Sequence, residues 1–470
     1  MQIHVVAPGD TLWTVSQRYR SDIHQIILVN QLTNPDVLAA GQALVIPEPG
    51  REYVVQSGDT LWNISQRFGI SVSALASVNQ IMNPALIYAG QMLVLPFFPH
   101  VVQPGESLWV LSRRYGVSAE EIMQANQIPN PSMIFIGQTL YIPRRSRPVK
   151  DIMAYITNLG EAGRREVLEV GRNLTYLAPF SYSIKEDGSL TALQDEAVLQ
   201  AARANNASSL LVVTNLYEGS FNSDRIAAIL RGTNLQETLI TNILQLMQAK
   251  GYTGVHFDLE YIYPEDRENY NQFLRRVVSR LRPQGYSVST ALAPKDSAEQ
   301  TGLLYEAHDY RAHGEIVDFV VLMTYEWGWA GGRPLAIAPI HEVKEVLDYA
   351  VTVIPREKIL MGIPLYGRDW RIPWVEGTFA RTVSPQEAVQ LAQQYGASIQ
   401  YDETYQSPYF RYRDETGQEH EVWFEDARSI QAKYKTIEEY GLRGGSFWVL
   451  GVPFPQSWPV LRGQFTVRKR

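Results

Sequence analysis

Gly254-Val255-His256-Phe257-Asp258-Leu259-Glu260-Tyr261 is a run with two different faces. Successive side chains of an extended strand point to opposite sides. Val255, Phe257 and Leu259 therefore share one face, and His256, Asp258 and Glu260 share the other. An apolar face packs on helices, while the acidic face lines the inside of a closed barrel and delivers Glu260 to its C-terminal rim, where catalytic residues of such barrels sit. A carboxyl group with another carboxylate two residues below it, in apolar surroundings, should have a raised pKa and serve as a general acid. Alone, Asp-x-Glu is a weak signal that far more often marks an exposed strand end.

The surroundings of this run repeat its texture. Strands are expected at Ile152–Tyr155, Tyr176–Phe180, Ser209–Thr214, Gly254–Leu259, Ser287–Ala293, Phe319–Thr324, Ile359–Pro364 and Gly445–Leu450, with helices such as Asn234–Lys250, Arg267–Leu281 and Pro385–Tyr395 between them. Eight such units over residues 149–470 predict an α/β fold, a (β/α)8 TIM barrel. The long gap between strands seven and eight predicts an α+β insertion at about 370–425, with short strands at Phe410–Arg413 and Glu421–Phe424.

Upstream, one pattern occurs three times. Val5-Val6-Ala7-Pro8-Gly9-Asp10-Thr11-Leu12-Trp13 returns as Val54-Val55-Gln56-Ser57-Gly58-Asp59-Thr60-Leu61-Trp62 and as Val101-Val102-Gln103-Pro104-Gly105-Glu106-Ser107-Leu108-Trp109. Each copy continues through Asn-Gln (Asn30-Gln31, Asn79-Gln80, Asn126-Gln127), Asn-Pro and a Gly-Gln strand ending in Pro. This reads as three βααβ modules at 2–48, 52–97 and 99–144. In each, the turn, Gly-Asp-Thr in the first two copies and Gly-Glu-Ser in the third, offers side-chain oxygens to the next helix and the Trp anchors that helix in its core. Arg20 stands where the other copies have Gly69 and Gly116, which should weaken the first module.

Bulk properties narrow the function classes. The 470 residues require more than one core, and the absence of cysteine excludes disulfides and thiolate metal sites. The eight His form no ligand-spaced cluster, so neither a metal nor a cofactor is expected. No apolar run is long enough to span a membrane, and the N-terminus shows no secretory signal, so synthesis in the cytoplasm is expected. Of the net charge of −7, residues 1–150 carry 10 Lys and Arg against 9 Asp and Glu, which leaves about −8 on the remainder. That acidity argues against nucleic acid, and the Arg144-Arg145-Ser146-Arg147 run reads as a solvated linker. A monomer is expected.

The triplicate pattern resembles the LysM family over residues 2–145. The resemblance implies binding of N-acetylglucosamine-containing polymers, peptidoglycan or chitin, with Gly9, Asp10, Thr11, Gly58, Asp59, Thr60, Gly105, Glu106 and Ser107 as glycan-binding candidates. The same acids and hydroxyls also serve to build the fold. Met323-Thr324-Tyr325-Glu326, Pro364-Leu365-Tyr366-Gly367-Arg368 and Gly444-Gly445-Ser446-Phe447-Trp448, with the Glu260 strand, resemble glycoside hydrolase family 18, and within it the bacterial spore-germination and cortex-lytic branch.

That second resemblance implies a substrate-assisted retaining mechanism, with Glu260 as acid and then base, Asp258 orienting the acetamido group, and Tyr325 donating a hydrogen bond to its oxygen. It further implies Tyr261, Met323, Glu326, Arg368 and Trp448 in the substrate subsites. Trp327, Trp329, Trp370 and Trp374 read equally as extensions of those subsites and as core or lid packing. The family's four-acid pattern falls on Thr253, His256, Asp258 and Glu260, so two acids are replaced. His256 reads as a core histidine able to hydrogen-bond Asp258. The expected activity is cleavage of β-1,4 bonds after N-acetylglucosamine in peptidoglycan of the spore cortex, in the spore coat, cortex or cell wall. A chitinase and a catalytically silent glycan-binding protein are the alternatives.

Overall fold

The computed structural model describes the whole chain except residues 1, 48–51, 69, 80, 82, 86 and 144–146. Gly69, Gln80 and the Arg144-Arg145-Ser146 run singled out above lie outside the described residues. Residues 1–38 and 43–148 form one compact unit, and 149–470, with 39–42, a second.

In the second unit eight parallel strands close on themselves. They are β1 (Val149–Ile156), β2 (Tyr176–Pro179), β3 (Ser208–Thr214), β4 (Gly254–Asp258), β5 (Ser287–Leu292), β6 (Phe319–Leu322), β7 (Ile359–Pro364) and β8 (Gly444–Leu450). Each pairs with its sequence neighbour, and β8 pairs with β1, so no edge is left open. The strands are short apolar runs because both faces are covered. Met153, Tyr155, Leu210, Val212, Phe319 and Val321 fill the inside, so the barrel is a packed core and only its mouth is free for chemistry. On the outside Phe257 of β4 meets Phe273 of the helix Arg267–Leu281 edge to face, with ring centroids 5.3 Å apart.

Between β7 and β8 the chain builds a five-stranded antiparallel sheet from Gly367–Ile372, Arg381–Val383, Gln400–Asp402, Ser407–Arg413 and Glu419–Trp423, with the helix Pro385–Gln394. This α+β insertion begins at Gly367, directly after β7.

Each repeat is a two-stranded antiparallel sheet carrying two helices. The first uses Gln2–Val5 and Ala43–Ile46 with helices Leu12–Tyr19 and Ile23–Asn30. The second pairs Glu52–Val54 with Met92–Val94, and the third Phe97–Val101 with Thr139–Pro143. One expectation is overturned here. Trp13, Trp62 and Trp109 are 62%, 66% and 63% exposed, whereas Leu12, Leu61 and Leu108 are buried. A helix turns about 100° per residue, so when the leucine faces the sheet the tryptophan after it faces water.

The motif's polar residues divide the work. Thr11 and Ser107 cap the first helix by accepting from Thr14 and Val110 N–H. Asp10 turns inward instead, accepting from Ala7 N–H at 2.9 Å and meeting His4 Nε2 at 2.9 Å. Asp59 does the same with Gln56 N–H and the Tyr53 hydroxyl, and Glu106 with Gln103 N–H and His100. These hydrogen bonds lower the Asp10 pKa and take that of Glu106 to about 2, the backbone N–H contributing most. Asn30, Asn79 and Asn126 each clamp the return strand: Asn79 Nδ2 donates to Leu75 and Val94 carbonyls at 2.8 Å, and its Oδ1 accepts from Val94 N–H at 2.7 Å. Arg20 adopts the left-handed conformation, φ 52°, that Gly116 adopts at φ 66° in the third copy. A side chain there costs roughly 1 kcal/mol.

Candidate active site

The mouth of the barrel is built where β4 ends. Asp258 closes that strand opposite Thr214 of β3. It is buried, and its Oδ1 has no hydrogen-bond partner among the described residues. Burial pushes the Asp258 carboxyl up to about 7. Glu260 is half-buried two residues further on. Burial first, and the neighbouring Asp258 charge second, hold its pKa well above the usual carboxylate range. A raised pKa favours the protonated form, which is the form a general acid needs.

His256, one layer below, is neutral, because complete burial pulls its pKa down to about 3. It does not reach Asp258 as expected. Its Nε2 lies 2.7 Å from the Tyr155 hydroxyl and its Nδ1 2.8 Å from Ser289 Oγ. The register explains this: His256 is level with Ser289 of β5, while Asp258 stands two residues higher. Thr253 lies below β4 and donates to the Ser209 carbonyl.

Tyr325, three residues beyond β6, shares this environment. Burial, then the Asp258, Glu260 and Glu326 charges, raise its pKa far above the ordinary tyrosine value, so its hydroxyl remains a donor. Trp448 stands edge-on to Tyr155 and Phe180 at 5.2 and 4.9 Å, as a half-buried ring at the inner wall of the mouth. Met323 is half-buried at the end of β6. Tyr261, which follows Glu260, is 40% exposed. Both Tyr261 (φ 54°) and Glu326 (φ 70°) hold left-handed backbone, and each directly follows a candidate catalytic residue. Such strain concentrates at functional sites.

Two expected substrate contacts are spent on each other. Arg368 donates to Glu326 Oε1 at 2.9 Å, the Tyr366 hydroxyl donates to the same oxygen, and a second Arg368 nitrogen bonds Thr382. This tie joins the segment after β6 to the first strand of the inserted sheet. Trp370 is core rather than subsite, because it is buried and its indole N–H donates to the Gly332 carbonyl at 2.9 Å. Trp329 is 51% exposed and faces Phe379, itself 75% exposed, edge to face. Trp374 stays half-buried under Arg333.

Sequence reasoning did not find Asn215. This buried residue follows β3 and grips the Glu260 backbone with both ends of its side-chain amide. Its one sequence signal is its place just past the C-terminal end of a barrel strand. Among the described residues no His, Asp or Glu cluster is arranged to hold a metal ion, and no helix is long and apolar enough to cross a membrane.

Residues 151–452 match Glycosyl hydrolases family 18, and residues 4–47, 53–96 and 100–143 each match the LysM domain. The chain belongs to glycosyl hydrolases family 18. This family 18 chain is 46% identical to the cortical fragment-lytic enzyme of Bacillus subtilis (strain 168) over 475 residues, covering 100% of this chain and 99% of that protein. It is 50% identical to the cortical fragment-lytic enzyme of Bacillus anthracis over 299 residues, 63% of this chain and 69% of that one. In three dimensions it is similar to the crystal structure of the Bacillus cereus spore cortex-lytic enzyme SleL, with a TM-score of 0.78 and 40% identity, covering 100% of this chain and 98% of that one. A chitinase from Chromobacterium violaceum shares the fold of the barrel, at 24% identity and a TM-score of 0.62 over 67% of this chain. As a family 18 member with three LysM domains, the chain is a glycoside hydrolase.

Proposed function

We propose that this enzyme cleaves β-1,4 bonds after N-acetylglucosamine in spore-cortex peptidoglycan, at the cortex or cell wall. The proposed working parts are repeats at 2–48, 52–97 and 99–144 and a catalytic domain at 149–470 with its insertion at about 370–425. The repeats hold the polymer while the barrel cuts it. A chitinase is less favoured, because the likeness to cortical fragment-lytic enzymes spans repeats and barrel together while the likeness to the chitinase is confined to about the length of the barrel. A silent binding protein is less favoured because it has no use for a carboxyl held protonated.

The observation that carries the reading is the buried Oδ1 of Asp258 below Glu260, which has no hydrogen-bond partner among the described residues. A buried acceptor without a partner costs about 1–3 kcal/mol, which is regained when a substrate N–H fills the position. In this reading Glu260 protonates the glycosidic oxygen and the C1–O bond breaks. The acetamido oxygen of the same sugar bonds to C1 and forms an oxazolinium ion. Asp258 accepts from the acetamido N–H and offsets the positive charge, and the Tyr325 hydroxyl donates to the acetamido oxygen. Glu260, now a carboxylate, takes a proton from the water that attacks C1 as the bond from C1 to the acetamido oxygen breaks, which restores the acetamido group and gives product with retained configuration. Trp448 floors the reacting sugar, with Tyr261 and Met323 beside it, and the exposed rings of Trp329 and Phe379 give further sugars a surface to stack on. Glu326 and Arg368 hold the rim together.

Glu260→Gln keeps shape but loses the transferable proton, so cleavage of soluble cortex fragments should fall by about 10² or more. Folded Glu260→Gln with wild-type activity would place the acid elsewhere. Removal of residues 1–145 should abolish co-sedimentation with insoluble peptidoglycan and spare activity on short soluble fragments. Undiminished co-sedimentation of the barrel alone would reject the anchoring role.

A further inference from the structure

Backbone pairing stops just before the residue that matters most. The β3–β4 ladder ends with Thr214 opposite Asp258, and Glu260 lies two residues beyond it. There a side chain takes over: Asn215 Oδ1 accepts from Glu260 N–H at 3.0 Å, and Asn215 Nδ2 donates to the Glu260 carbonyl at 2.8 Å. One amide supplies the donor and the acceptor that a neighbouring strand would have supplied. Asn215 is itself fixed, being fully buried, with its carbonyl accepting from Asn222 N–H at 3.0 Å and its Nδ2 also reaching the Asn222 carbonyl at 3.2 Å.

The peptides on either side of Glu260 are held in the same manner. His308 Nδ1 accepts from Ala293 N–H at 2.8 Å, which leaves Nε2 as the donor to the Leu259 carbonyl at 2.9 Å. Ser223 Oγ donates to the Tyr261 carbonyl at 2.6 Å. Three successive carbonyls, Leu259, Glu260 and Tyr261, thus each receive a side-chain donor from the segments that follow β5 and β3. Of the three side chains, Asn215 alone also accepts an N–H from this same stretch, and it is that of the acid itself. The grip lies beyond the end of the strand, and the residue after Glu260 turns into the left-handed region.

We propose that Asn215 is a positioning residue for the catalytic acid: its amide fixes the Glu260 peptide and so sets the point from which the carboxyl reaches the glycosidic oxygen. The proposal rests on the reading of Glu260 as the acid. Without the clamp the backbone at Glu260 relaxes, and a misplacement of about 1 Å lowers turnover by up to about 10² without weakening ground-state binding in proportion.

The test compares wild type, Asn215→Ala, Asn215→Asp and Glu260→Gln on soluble cortex fragments and on para-nitrophenyl diacetylchitobioside, with kcat, KM and the pH profile of kcat/KM measured for folded protein. Asn215→Ala should lose about 10- to 100-fold in kcat while KM stays within about twofold. Asn215→Asp is nearly isosteric, keeps the acceptor for Glu260 N–H and loses the donor. It also adds negative charge beside the acid, so the basic limb of its pH profile should move to higher pH. A purely structural asparagine would lower the yield of folded enzyme and leave the kcat of the folded fraction where it is, whatever the added charge does to that limb. Wild-type kcat in folded Asn215→Asp, with Glu260→Gln inactive, would overturn the proposal even if Asn215→Ala failed to fold. An active Glu260→Gln would instead overturn the assignment of the acid.

Discussion

Gly362, in the middle of β7, is where a single methyl group should disable the site without touching substrate. A Cβ built there would lie 2.4 Å from the Leu322 carbonyl oxygen, 2.8 Å from Tyr325 Cε1 and 3.0 Å from Thr324 N. The strand cannot slide away, because the Gly362 carbonyl accepts from Thr324 Oγ1 at 2.8 Å and both neighbouring residues pair with β8. Carbon atoms rest at about 3.5 Å, so the Tyr325 ring must give way by about 0.7 Å. Tyr325 is the proposed donor to the acetamido oxygen, and a shift of that size should cost roughly 10- to 100-fold in kcat. Overpacking should also destabilise the fold by about 1–3 kcal/mol. Steady-state kinetics on soluble cortex fragments, with thermal unfolding to confirm that Gly362→Ala is folded, separate the two effects. A folded Gly362→Ala enzyme with a lowered melting temperature and wild-type kcat would refute the placement of Tyr325 at the reacting sugar.

Two further outcomes follow from burial. Asp258 titrates near 7 in the folded state against about 3.8 as a free side chain, so between those values the folded protein holds the extra proton and its stability falls as pH rises. Asp258→Asn removes that loss and should raise the melting temperature more at pH 7 than at pH 4 while activity drops; an equal shift at both pH values would contradict the raised pKa. In the repeats, Trp62→Ala should change stability by less than about 0.5 kcal/mol and Leu61→Ala should cost about 2–5 kcal/mol, and thermal unfolding that ranked them in the reverse order would contradict their exposure.

Patterns of short range were legible in the chain by itself. The period-2 alternation at 255–260 put the acids on one face and the helix-packing residues on the other, as the structure has them. Eight apolar runs of strand length predicted the barrel, because a strand buried on both sides declares itself by composition alone. The threefold motif at residues 5–13, 54–62 and 101–109 predicted three small modules, since capping hydroxyls and turn glycines act within a few residues of themselves. What tertiary structure alone decided are the partners. A motif says that tryptophan follows leucine, but only the helix's rotation against its sheet decides that Leu61 is buried and Trp62 is not. Asp59 was legible as a conserved-looking turn acid within the chain's own repeats; that it turns to Tyr53 depends on how strand and helix cross. His256 faces Ser289 and Tyr155 rather than Asp258 because the stagger of adjacent strands sets the layers inside a closed barrel. Asn215 grips Glu260 from 45 residues away, a contact that exists only once β3 and β4 lie side by side. Local spacing selects the kind of element, and barrel closure selects which side chains meet.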